Sequence, residues 1–103
     1  MKIYQIGRKN SPIIIPDTGK QISRRHAELT ITDKNTFYLV DANSQNGTFV
    51  ERNGQWVRLR QAQVVPTDRI RFGARAVVTV AEILRQVSHE VPAPTPAMLA
   101  ARN

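Results

Sequence analysis

With 103 residues and a hydrophobic fraction of 41%, the chain has material for one domain with one real core. Cysteine is absent, which excludes disulfide staples, thiolate metal sites and cysteine nucleophiles, and the two histidines, His26 and His89, are too few for a histidine-rich metal site. A formal charge of +7, with eleven of fifteen basic residues being arginine, makes nucleic acid, acidic lipid and phosphorylated protein the candidate partners.

Lys2 to Ile6 reads as a strand that begins almost at once and ends at Gly7-Arg8. Asn10-Ser11-Pro12 is a turn signal, and Ile13-Ile14-Ile15 is a short β-branched run stopped by Pro16. After a second turn at Asp17 to Lys20 comes Ser23-Arg24-Arg25-His26, then an apolar alternation of Ala27, Leu29 and Ile31. Asp33-Lys34-Asn35 makes a tight connection to a strand over residues 36–41. Ala42 to Thr48 is a polar loop, and Asn53-Gly54 predicts a hairpin because both residues tolerate positive φ. Trp56 is expected in the core or in hairpin packing. Arg69-Ile70-Arg71-Phe72 alternates, with arginines on one face and apolar side chains on the other. Ala76 to Leu84 reads as a final strand.

Nine or ten short strands, regular turn signals and no convincing amphipathic helix predict an all-β fold, a sandwich of mostly antiparallel strands. The expected domain covers residues 1–85. Beyond it, Pro92, Pro94 and Pro96 alternate with alanine and threonine, which predicts a disordered Pro/Ala-rich linker over 86–103 and a chain that continues into a larger protein. His89 in that tail is expected to do nothing local. No signal peptide or spanning segment is visible, and a cytoplasmic domain is expected, whether or not its parent is membrane-anchored.

Ser23 to His26 places a hydroxyl, two guanidinium groups and an imidazole where a loop enters a strand. Guanidinium forks suit phosphate oxygens, and serine adds a small donor. An anion site and a solvated basic turn both fit these four residues taken alone.

Three separated signals narrow the choice: Gly7-Arg8, Ser23-Arg24-Arg25-His26 and Ser44-Gln45-Asn46-Gly47-Thr48. In that order and spacing they resemble the forkhead-associated (FHA) domain, a β-sandwich that binds phosphothreonine in partner proteins; Asp68 to Gly73 resembles the family's late strand. The resemblance covers roughly residues 3–84. It implies a non-catalytic module of signalling or assembly whose partner is a threonine-phosphorylated protein, with no cofactor and no metal. By the same resemblance Arg8, Ser23 and Arg24 are the expected phosphate contacts, Gln45 and Asn46 the expected peptide contacts, and Gly7, His26, Gly47 and Thr48 the supports of the site. Ser44 is expected to form the turn rather than touch ligand.

Two features depart from the family. Its members open with a further strand paired to the one ending in Gly-Arg, whereas Met1 precedes that strand by one residue here. A sandwich lacking the usual first strand is therefore expected, with an open edge near Ile3 to Ile6 that invites weak self-association or capture of tail residues. Gln45 also stands where the family often has a small hydroxyl residue. Among rival readings, nucleic-acid binding lacks aromatic residues interleaved with the arginines. A structural domain without phosphate dependence is a second rival. An enzyme is the weakest, since no nucleophile–base–acid set is evident.

Overall fold

The period-two placement of apolar side chains becomes two facing sheets in a computed structural model that describes residues 1–16 and 19–88. In chain order the elements are β1 (Lys2–Gly7), β2 (Ile13–Ile14), β3 (Ala27–Ile31), β4 (Phe37–Asp41), β5 (Thr48–Arg52), β6 (Gln55–Arg58), β7 (Gln61–Val64), β8 (Arg69–Phe72), β9 (Ala76–Thr79) and α1 (Val80–Arg85). The first sheet runs β2-β1-β3-β4-β7 and the second β6-β5-β8-β9. Among the described residues β1 and β2 pair in parallel and the other pairings are antiparallel. The expected all-β sandwich is thus what the chain forms.

Register turns the alternation into a core. Tyr4 pairs with Leu29, Leu29 with Leu39 and Leu39 with Ala62, so one apolar row crosses the first sheet. Val50 pairs with Ile70 in the second sheet, and Ile70 and Phe72 are fully buried against the first. The Asn53-Gly54 hairpin joins β5 to β6 as expected, with both turn residues at positive φ. Arg69 and Arg71 face outward from β8 while Ile70 and Phe72 face in, also as expected.

The chain after Ala76 differs from its sequence reading. The last strand stops at Thr79, and Val80 to Arg85 is a helix. Thr79 accepts from the Glu82 N–H while the Glu82 carboxylate accepts from the Thr79 N–H, a capping box that satisfies two donors at the helix start. Val80, Ile83 and Val87 then recur at helical spacing and are all buried. Of the expected tail, residues 86–88 are described and pack against the domain; residues 89–103, including His89 and the prolines, lie outside the described residues.

The edge opposite β3 is covered at one end, where the β2 pairing stops at Ile6, and a residue of the expected tail takes part in covering it. β2 lies along the end of β1, pairing Ile6 with Ile13 and Gly7 with Ile14, and Ile15 N–H donates to the Gly7 carbonyl. The outer side of β2 is closed in turn by one side chain. Gln86 accepts from the Ile14 N–H at 2.8 Å and donates to the Ile14 carbonyl at 3.0 Å, as a neighbouring strand would.

Candidate functional site

Antiparallel order brings the end of β1, the start of β3 and the end of β4 to one end of the first sheet. The loops and strand ends there carry all nine residues singled out in the sequence: Gly7 and Arg8, then Ser23, Arg24 and His26, then Gln45, Asn46, Gly47 and Thr48. Close approach locks the first two loops together. A Cβ on Gly7 would overlap the Arg24 carbonyl oxygen, so no larger residue fits where these backbones cross. The His26 N–H also donates to the Ile6 carbonyl at 2.8 Å.

His26 joins the second loop to the third. Its side chain is fully buried. Nδ1 accepts from the Ser23 N–H at 3.1 Å and Nε2 lies 2.8 Å from the Gly47 carbonyl oxygen. A carbonyl only accepts and an amide only donates, so Nε2 carries the proton and Nδ1 the lone pair. Phe72 meets the ring edge-on, with centroids 5.4 Å apart, and fixes its plane. Both nitrogens are committed to main-chain groups, and Ser23 meets the ring through its N–H rather than its hydroxyl. The imidazole is therefore not placed to deprotonate Ser23.

Asp41, which the sequence reading did not single out, anchors the third loop. Its Oδ1 accepts from Ser44 Oγ at 2.6 Å and from Thr48 Oγ1 at 2.7 Å, and its Oδ2 from the Ser44 N–H at 3.0 Å. Ser44 Oγ accepts in turn from the Gly47 N–H at 3.1 Å, so Ser44 is a turn-former as expected. Burial would raise the Asp41 carboxyl, but hydrogen bonds from the Ser44 and Thr48 hydroxyls and the Ser44 N–H hold it below its ordinary value of 3.8. The signal available in the sequence was Asp followed three residues later by Ser at a strand end, a common turn device. Gly47 itself takes φ +87°, which side chains rarely adopt.

What remains exposed on this brace is a set of unspent donors. Arg8 makes one contact at the limit of hydrogen-bond distance, Nη1 to the Ile22 carbonyl at 3.5 Å. Arg24 is exposed and makes no hydrogen bond or ion pair among the described residues. Ser23 Oγ accepts weakly from the Gln45 N–H at 3.4 Å, which leaves its own hydrogen available. Asn46 donates one amide hydrogen to the Gln21 carbonyl at 3.2 Å; its second amide hydrogen and its carbonyl oxygen have no partner among the described residues. The Gln45 side chain is exposed. Two guanidinium groups that no carboxylate among the described residues pairs with, a hydroxyl and a carboxamide suit an oxyanion and a peptide backbone beside it. Among the described residues no group of three His, Asp or Glu side chains is arranged to hold a metal ion, and no helix is long and apolar enough to cross a membrane.

Comparison with known proteins places this sandwich and its arginine-bearing loops in a family. The family model for the FHA domain matches residues 4–73. The FhaA FHA domain, solved in complex with the intracellular domain of Rv3910, is 35% identical, with 74% of this chain and 77% of that chain covered and a TM-score of 0.56. An FHA domain solved in a structural and functional analysis of phosphothreonine-dependent FHA domain interactions is 32% identical, covering 74% and 73%, with a TM-score of 0.59. The FHA domain of CT664 from Chlamydia trachomatis is 28% identical, covering 70% and 68%, with a TM-score of 0.58. No curated protein matches the chain by sequence. The chain belongs to the FHA domain family.

Proposed function

We propose that this domain is a non-catalytic module that binds phosphothreonine in a partner protein. Its family and the phosphothreonine-dependent interactions studied for a 32% identical relative support that reading. The single observation that carries it is the pairing of unspent donors with a rigid support. Arg8, Ser23 and Arg24 have hydrogen-bonding capacity left over, while the loops beneath them are fixed by His26 and Asp41. Loops already fixed in the free protein lose little entropy when a dianionic phosphate arrives, which leaves only the side chains on them to be ordered.

In this reading Arg8 and Arg24 supply charge-assisted hydrogen bonds to phosphate oxygens and Ser23 Oγ donates a third. Asn46 holds the backbone of the bound peptide through the amide capacity left after its bond to Gln21. Gln45 lies beside the peptide and contributes to the choice of sequence. Gly7, His26, Gly47 and Thr48 act beneath the ligand. The test is an oriented library of phosphothreonine peptides, followed by titration of the best binder with and without its phosphate. Retention of binding without the phosphate would leave a structural interaction domain, and tighter binding of a random DNA duplex at physiological salt would leave a nucleic-acid binder.

A further inference from the structure

The outward face of the second sheet carries a second set of arginines that the phosphate site does not use. Register sorts it into two rows. Arg58, Phe49, Arg71 and Val77 pair across β6, β5, β8 and β9 in one row. In the other, Trp56 pairs with Glu51, and Arg69 pairs with Thr79 and bonds Glu51 at 3.0 Å. With Arg75 in the turn between β8 and β9, four guanidinium groups share this side of the sheet with the Glu51 carboxylate, which bonds Arg69, and with Glu82 at its margin, which bonds Thr79.

Arg69 and Arg71 are held in place rather than loose in water. The Arg71 guanidinium lies 4.2 Å over the centroid of Phe49 and 5.2 Å from that of Trp56, and its Nε donates to the Gly73 carbonyl at 2.9 Å. Stacking and one hydrogen bond therefore fix the plane of the fork, while both terminal amino groups stay unspent among the described residues. Arg58 stands on the far side of Phe49 and packs over Gly47, its Nε 3.2 Å from where a Cβ would stand there. Among the described residues no carboxylate lies within ion-pair distance of Arg58, Arg71 or Arg75. Trp56 is only half-buried although it is the largest side chain in the chain, and Val77 is 40% exposed beside Arg71. Ordered arginine next to half-exposed aromatic rings is the composition of interface centres, and a fork whose rotamer is set in the free protein loses less entropy on binding.

We infer that this face is a second docking surface, which takes an acidic, unphosphorylated segment of a partner protein. Charge complementarity selects the occupant. Planar guanidinium groups match carboxylates in two-point contacts, and the apolar band of Phe49, Trp56 and Val77 suits the carbon stems and backbone of an extended peptide. A nucleic-acid strand fits less well: the ring faces on which bases would stack are covered by Arg71 and Arg69, and Glu51 sits amid the cations. The surface needs no phosphate and does not depend on the function proposed for the loop site.

Trp56 is the only tryptophan in the chain and lies on this face, so the protein carries its own reporter. The probe is an unphosphorylated peptide with a central run of eight Asp and Glu residues, compared with its Asn/Gln counterpart and with a random DNA duplex, at low and at physiological salt. The acidic peptide should give a saturable change in Trp56 emission, and the neutral one none. Arg58→Gln/Arg71→Gln should weaken binding at least tenfold, and Arg71→Lys, which keeps the charge but loses the stacked fork, several-fold. The charge-matched Arg25→Gln/Arg85→Gln protein and Arg8→Ala should change it less than twofold. Arg58→Gln alone removes no hydrogen bond among the described residues, so it reports even if the double variant folds poorly; about threefold weakening is expected. An equal loss in the charge-matched control, a loss in Arg8→Ala matching that of the double variant, no saturable response, or tighter binding of the duplex would each overturn the inference.

Discussion

Replacing His26 by alanine should lower stability and affinity together, and the structure sets the size of the effect. The ring is fully buried and holds two main-chain groups. Without it the Ser23 N–H has lost its acceptor in a partly buried position, at a cost of about 1–3 kcal/mol. The Gly47 carbonyl loses less, because it also accepts from the Gly73 N–H at 2.9 Å; the missing bond is worth about 1 kcal/mol. Loss of the edge contact with Phe72 adds roughly 0.5–1.5 kcal/mol. The expected total is about 2.5–5.5 kcal/mol, and at roughly 4–8 °C per kcal/mol for a domain of this size the thermal midpoint should fall by about 10–40 °C. Calorimetry of wild type, His26→Ala and the volume-preserving His26→Phe, alongside phosphopeptide titrations, measures both quantities. Arg8→Ala is the reference, because its side chain makes one marginal hydrogen bond among the described residues. If His26→Ala kept its midpoint within about 2 °C yet lost binding as Arg8→Ala does, the histidine would touch the ligand and the bracing role would be wrong.

Other outcomes follow from the same geometry. Arg8→Ala should weaken phosphopeptide binding roughly ten- to a hundredfold with an unchanged midpoint, and Ser23→Ala by less, as isothermal titration and a thermal melt would read. Gly7→Ala should cost about 1–3 kcal/mol or more, because the new methyl meets the Arg24 carbonyl; a chemical denaturation midpoint equal to wild type would contradict that crossing. Asp41 titrates below its ordinary 3.8 in the folded protein, so the unfolded chain binds the proton first and stability falls as pH falls. Its contribution should be complete above about pH 5 and be lost through 3.8 and below, so the stability gap between wild type and Asp41→Asn should narrow in acid. Gln86→Ala uncovers the backbone of Ile14 at the sheet edge and should promote concentration-dependent association in light scattering, whereas wild type should stay monomeric.

Features set by local chemistry were legible in the sequence. Asn53-Gly54 declared its hairpin and Arg69 to Phe72 its two faces, because each depends on a few adjacent residues, whereas the convergence of the three loop motifs was legible only through the family they resemble. The helix at Val80 was hidden by the β-branched run from Val77 to Val80, which reads as a strand until the Thr79–Glu82 capping pair is weighed against it. Trp56 was expected in the core or in hairpin packing; it lies on the outer sheet face under two arginines, since residues 49, 56 and 71 meet only through register. Asp41 was missed for the same reason. Its partners Ser44 and Thr48 are near in sequence, but what they brace is the loop held by His26, twenty-one residues from Gly47.

The most direct measurement is the affinity of one library-selected peptide in three forms, phosphothreonine, phosphoserine and threonine, for wild type and Arg8→Ala at physiological salt. Two charge-assisted hydrogen bonds at about 1.5–3 kcal/mol each correspond to more than a hundredfold preference for phosphothreonine over threonine in wild type. Arg8→Ala should lose most of that preference while binding unmodified threonine peptide no differently. Equal affinity for the phosphorylated and unphosphorylated peptides, or a phosphate preference untouched by Arg8→Ala, would contradict a phosphate site built on these loops.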